Sequence, residues 1–277
     1  MGFRINTNIS ALAAQRSIAV NARETEGNLS KLSSGSRIVK AADDAAGMAI
    51  SEKLRANIRS LKQADRNTND GISMVQVAEG GLNETNAILT RMRELAMQTS
   101  SDTISDSERG MTNMEYQNLK QELERISQIT EFNGRKLLNG EGDRVEIQVG
   151  YNNDAFRDRI SYEAGQVNAS SASLGVEELD VSKKETSQES LGVIDAALNK
   201  VSSYRAFLGA IQNRLVSTSN NLQIYTENLS SANSRIRDVD YADATSQKAR
   251  NDIINAASTS VLAQANMNGQ NALKLLS

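Results

Sequence analysis

The sequence predicts a mainly α fold, a long antiparallel coiled-coil rod of helices with a small β-hairpin excursion in the middle. Three observations predict it. Apolar residues recur one heptad apart through much of the second half of the chain. The 277 residues include no proline, where average usage would supply on the order of a dozen. Strict alternation of apolar and polar residues is confined to one short stretch around Ile147.

The first helix follows from Ala11, Ala14, Ile18, Ala22, Thr25, Leu29 and Leu32, which step by three or four and form a thin, alanine-rich stripe. After LSSGS a second stripe runs through Ile50, Leu54, Ile58, Leu61, Thr68, Ile72, Val75, Leu82, Leu89, Met92 and Ala96. As one helix it would extend ~80 Å at ~1.5 Å per residue. Asp43 and Asp44 fall where this helix begins. Carboxylates there favour the positive end of the helix dipole and accept from free N–H groups, while the alanines and Gly47 around them leave room for a neighbouring backbone. The polar SDTISDSERG turns the chain back into a third helix through Tyr116, Leu119, Leu123 and Ile126.

Between residues 139 and 162 the period changes. VEIQVG alternates Val145, Ile147 and Val149, the turn-like YNNDAF follows, and RISY closes a β-hairpin. Residues 163–188 lack periodicity and end in SKKETSQES, which reads as linker or loop. Then Ile194, Val201, Leu208, Leu215, Leu222, Leu229 and Ile236 stand one heptad apart, with Ala197, Tyr204, Ile211, Thr218, Tyr225 and Ala232 three residues after the first six. That spacing predicts a coiled-coil seam. Each such side chain is worth roughly 1.5–3 kcal/mol when buried, so this part is expected to fold by itself. A last helix, from about Asp243, carries Ile253, Ile254, Ala257, Val261, Ala265, Leu273 and Leu276 amid Asn, Ser and Gln. The two terminal helices bury little area per residue, and their order is expected to come from assembly with further copies.

Composition removes much chemistry. The chain has no cysteine and no histidine, which excludes the histidine base, the thiol nucleophile, zinc sites built on those ligands and disulfides. An enzyme, a cofactor and a metal are not expected. A net charge of −3 gives no pull toward nucleic acid. The first 30 residues show no unbroken apolar core of a signal peptide, and no stretch approaches membrane-spanning length, so neither a leader nor a membrane partner is expected. DVDYAD, at 238–243, lacks the glycine and distal glutamate of a calcium loop and reads as a solvated helix start.

INTNISALAAQRS, SSGSRIVKAADDAAGMAISEKLR, LTRMRELAMQTS, ITEFNGRKLLNG, GAIQNRL, SRIRDVDYA and VLAQANMNGQNALKLLS occur in order. In these motifs the chain resembles a bacterial flagellin. The resemblance implies that 1–42 and 239–277 form an inner tube of a filament, 43–138 and 191–238 its surrounding shell, and 139–190 a small outward hairpin and variable loop. Tube packing would fall to Ile5, Ile9, Leu12, Ile18, Ile254, Val261, Leu273 and Leu276. The implied function is a structural subunit that polymerises with itself into the extracellular flagellar filament for motility. The alternative is a hook-filament junction protein or a coiled-coil adhesin. Implied partners are an export chaperone on the C-terminal segment, the type III export channel, and the filament cap and hook-junction proteins. Arg91, Leu95 and Glu115 match the family's contacts for a host Toll-like receptor; the other reading of these residues is exposed charge and a packing leucine.

Overall fold

The computed structural model describes residues 7–141 and 144–274, with side chains through residue 267. The described residues form six α-helices, α1 (Ile9–Ser34), α2 (Ala45–Thr99), α3 (Asp106–Ile129), α4 (Ser171–Leu174), α5 (Lys184–Arg237) and α6 (Tyr241–Lys274), and four short strands. The strands are β1 (Glu131–Phe132), β2 (Arg135–Lys136), β3 (Arg144–Gln148) and β4 (Arg159–Glu163). The chain forms two compact units, Met1–Ala56 with Asn228–Ser277, and Asn57–Glu227. Their boundaries fall inside α2 and α5, whereas the sequence reading divides the chain at the connectors near 42 and 238.

The unit Asn57–Glu227 has a continuous apolar core. Leu82, Leu89 and Met92 of α2, Tyr116 and Leu123 of α3, and Ile194, Val201, Leu208 and Leu215 of α5 are fully buried in it. These are the residues that helical and heptad periodicity singles out, because one stripe of each helix faces the others. The α2–α3 turn is held by Arg109, whose largely buried guanidinium donates to the carbonyls of Thr99 (3.0 Å) and Ser101 (2.8 Å) and to Asp106 (2.7 Å). Ser105 and Glu108 close α3 with a capping box, satisfying two otherwise free backbone donors.

Two hairpins follow. β1 and β2 pair antiparallel across Asn133 and Gly134, which take φ values of 52° and 76°. Positive φ at both central residues is the mirror-image turn that matches strand twist, and Asn-Gly is its commonest sequence. The sequence reading places no hairpin there. β3 and β4 pair with Val145 opposite Tyr162 and Ile147 opposite Ile160, and Ile147, Ile160 and Tyr162 bury one face. This is the hairpin expected from the alternation. The Tyr162 hydroxyl donates to the Leu137 carbonyl at 3.1 Å, and burial pushes its pKa up to about 12.

Residues 163–188 are not a linker. Val167, Ala169, Leu174, Val176 and Val181 are buried, the Ala169 amide donates to Leu138 (2.8 Å), and the Ser171 amide and hydroxyl donate to Glu124 (2.9 and 2.8 Å). The charged run SKKETSQES also largely belongs to α5. Ser187 and Ser190 are buried on the heptad stripe, with hydroxyls bonded back to the carbonyls of Lys183 (2.7 Å) and Thr186 (2.8 Å). Serine keeps the period there but carries no hydropathy signal.

Candidate functional site

The unit formed by the two chain ends is built the other way round. α1 and α6 pack antiparallel, as three contacts at increasing distance along α1 show. Asn8 Nδ2 donates to the Ala265 carbonyl at 2.9 Å, Asn21 Nδ2 to the Asn251 carbonyl at 3.1 Å, and the Tyr241 hydroxyl to the Leu32 carbonyl at 2.9 Å. The shielded positions on α1 include Ala11, Ala14, Ile18, Asn21, Thr25, Asn28 and Leu32, with Ser30 and Lys31 also half-buried beside the last of them. Those on α6 are Ala244, Lys248, Asn251, Asn255, Ser258, Leu262 and Ala265. Both series step by three and four, the pattern of a coiled-coil seam, yet they hold mostly small and polar residues.

Two positions of the expected α1 stripe are corrected by this. Ala22 and Leu29 are exposed, and Asn21 and Asn28 take their inward places. Reading apolar residues as inward moved the stripe one residue off the seam.

The candidate tube residues divide accordingly. Ile9 (64% exposed), Leu12, Ile254 and Val261 (58% exposed) point away from the seam, as do Val20, Ile253 and Met267, which the sequence reading did not select for the tube. Ile18 is half-buried at the seam. Ile5, Leu276 and the Leu273 side chain lie outside the described residues. Val20 and Ile254 also line an open groove with Ala13, Arg16, Ser17 and Asn21. On the α5 seam, Ile194 through Leu222 are buried, while Leu229 and Ile236, in the terminal unit, are half-buried.

The connectors of this unit pair with each other. The Arg37 amide donates to the Arg237 carbonyl (2.6 Å) and the Val239 amide to the Gly35 carbonyl (3.1 Å), flanking a bridge between Ser36 and Asp238. Arg237 also donates to Glu52 at 2.6 Å. The adjacent aspartates have separate tasks. Asp44 Oδ1 accepts from the Gly47 amide (2.8 Å) and caps α2. Asp43 Oδ2 accepts from the amides of Val39 (2.9 Å) and Lys40 (2.8 Å) and closes the preceding turn. Those hydrogen bonds, Lys40 first, hold the Asp43 carboxyl below its ordinary value. Gly47 is required by crowding, since a Cβ would come within 2.8 Å of Asp44 Cγ and 2.9 Å of Ile38 Cδ1.

The receptor-type residues separate too. Arg91 donates to Glu115 (3.0 and 2.9 Å) and to Glu94 (2.9 Å) on the surface, whereas Leu95 is 2% exposed and packs in the core. Arg91 and Glu115 are thus surface charges and Leu95 a packing leucine.

Among the described residues no helix is long and apolar enough to cross a membrane, and no cluster of three or more His, Cys, Asp or Glu is placed to hold a metal ion. Ile9, Leu12, Val20, Ile254 and Val261 leave apolar side chains on the outside of the α1–α6 pair.

Comparison with known proteins shows the family. Residues 5–143 match the bacterial flagellin N-terminal helical region and residues 191–276 the bacterial flagellin C-terminal helical region. A flagellin of Halalkalibacterium halodurans is 45% identical over 98% of this chain and 99% of its own. A flagellin of Bacillus subtilis is 42% identical over 99% of each. The crystal structure of Bacillus cereus flagellin is similar with a TM-score of 0.51 and 30% identity, covering 57% of this chain and 88% of that one. By these matches, spanning both ends of the sequence, the chain belongs to the bacterial flagellin family.

Proposed function

We infer that the chain is a structural subunit that polymerises with itself into the extracellular filament of the bacterial flagellum and so serves motility. Near full-length likeness to flagellins supports this, and the junction-protein or adhesin alternative is not favoured. The observation that carries the assembly mechanism is the outward set Ile9, Leu12, Ile254 and Val261 around a seam of small and polar residues. Apolar side chains left outside a helix pair gain roughly 1.5–3 kcal/mol each on burial, and identical neighbours supply the matching surface. Contacts between unlike faces of identical subunits do not close on themselves and generate an open helix.

The finer assignments follow from the family resemblance. The terminal segments 1–42 and 239–277 line an inner tube, with Ile5, Ile9, Leu12, Ile18, Ile254, Val261, Leu273 and Leu276 packing between copies. Segments 43–138 and 191–238 form the shell, and 139–190 lies outward. Export runs through the flagellar type III channel with a chaperone on the C-terminal segment, and the subunit meets the cap and hook-junction proteins at the filament ends. A chain without cysteine or proline suits that route, since it neither forms disulfides nor waits on prolyl isomerisation. Recognition by a Toll-like receptor would use the exposed Arg91 and Glu115, with Leu95 supporting them from below. Membership of a structural family and the absence of histidine and cysteine support a non-enzymatic role.

Electron microscopy of purified chain after addition of sheared filament seeds tests this reading. Long filaments are expected from the intact chain and none from a chain shortened by about one helix at each end. Seeds that stay short or are merely capped by the intact chain would return the junction reading.

A further inference from the structure

We propose that Asn21 and Asn251, both buried, with the half-buried Thr25 and Asn255, form a register lock along the middle of the α1–α6 pair, helping to fix the axial offset between the outward apolar residues of the two helices. Asn21 is 5% exposed and Asn251 6%. Asn21 Nδ2 donates to the Asn251 carbonyl (3.1 Å) and to Asn255 Oδ1 (3.1 Å), and Asn255 Nδ2 in turn donates to Thr25 Oγ1 (3.4 Å). Thr25 Oγ1 donates to the Asn21 carbonyl (2.8 Å), completing the cluster.

Small-residue packing alone does not choose this register; the seam residues Ile18, Leu32 and Leu262 and, at the connector end, the Ser36–Asp238 bridge and the Tyr241–Leu32 bond also oppose a slip. The α6 seam series Ala244, Asn251, Ser258 and Ala265 repeats small residues at every heptad, and α1 offers Ala11, Ala14 and Thr25 opposite them. Sliding α6 by one heptad therefore exchanges small residues for small residues. The amides do discriminate. A slip in one sense sets Asn21 against Ala244 and Lys248, and Asn255 against Ala14 and Ile18. A slip in the other brings Asn28 to Asn255 but leaves Asn21 against Ser258 and Leu262. Either slip removes the Asn21–Asn255 side-chain bond, leaving Asn21 with only a backbone carbonyl to donate to. A single polar residue in a coiled-coil seam specifies register by this means. Register matters here because Leu12 and Val20 on α1 and Ile254 and Val261 on α6 present one composite surface only at one offset. The proposal thus rests on the assembly reading above and adds what makes the surface unique.

Because the chain has no cysteine of its own, register is measurable by disulfide pairing. Ala14→Cys is combined with Ser258→Cys, which reports the observed register, or with Ala265→Cys, which reports the slipped one. Pairing is read at redox equilibrium before seeding and again in filaments containing each chain as a minor component. With Asn21 intact the Ser258→Cys pair is expected to exceed the Ala265→Cys pair by about tenfold or more, the ratio set by about 1.4 kcal/mol. Asn21→Leu, and the smaller Asn21→Ala in case leucine does not fit, are expected to lower that ratio at least about threefold. An unchanged tenfold preference in both variants, or no preference in the parent, overturns the proposal. Failure of the parent to extend seeds, with its pairing ratio intact, would instead strike the assembly reading and leave the register lock standing.

Discussion

The two units of the molecule solve opposite packing problems with the same helical repeat. In Asn57–Glu227 a continuous set of large side chains, Leu89, Met92, Leu208 and Leu215 among them, turns inward and is fully buried, although Met111, Met114 and Phe156 stay exposed. In the terminal unit the shielded seam holds Ala11, Asn21, Thr25, Ser258 and Asn255, while Ile9, Leu12, Val20, Ile253 and Val261 face out. The first unit has its apolar burial within one chain. In the second, most of the apolar gain is still to be made, and a polymer of identical subunits is where it can be made. The contrast assigns stability to the middle of the chain and association to its ends.

Substitutions in the two units are accordingly expected to separate stability from growth. The largest effect on the free chain belongs to Leu89→Ala, which opens a cavity in a fully packed core and is expected to cost about 2–5 kcal/mol, read as a lowered denaturation midpoint. Asp44→Ala removes the α2 cap and is expected to cost about 1 kcal/mol, with faster amide exchange at Gly47.

Acid gives a smaller and more local change. The Asp43 carboxyl has its folded pKa depressed below the ordinary 3.8, so its contribution is present above that value and lost as pH falls through the depressed one. The Val39 and Lys40 amides are expected to lose protection below about pH 4, and Asp43→Asn to abolish that pH dependence. Smallest of all is the expected change in free-chain stability for Leu12→Ser with Val261→Ser, within about 0.5 kcal/mol because both positions are exposed.

Legibility in the sequence followed the same division. Most of the α2, α3 and α5 stripes and the β3–β4 hairpin were readable because periodicity and hydropathy agree in a self-sufficient core, whereas Ile50 of the α2 stripe and Tyr225 of the α5 series are exposed. At the terminal helices they disagree: the seam keeps its period in Asn21, Asn28, Asn251 and Asn255, and the apolar residues lie off it. Ala22 and Leu29 were drawn into the stripe for that reason. Ser187 and Ser190 concealed the first turns of α5 in the same way, and the packed segment 163–182 escaped because isolated valines and alanines bury without a period. Asn133–Gly134 is a hairpin signal in the sequence that the reading, which used this segment only as a family motif, passed over. Asp43 and Asp44 were readable as a helix start, but not their division between turn and cap, which depends on backbone geometry.

The most direct measurement is seeded filament growth by the Leu12→Ser, Val261→Ser chain, beside its denaturation midpoint. An unchanged midpoint with growth reduced at least about tenfold, as expected when several kcal/mol of intersubunit burial is removed, would place association in the outward faces of the terminal helices. Growth at the parental rate with the same midpoint would contradict it.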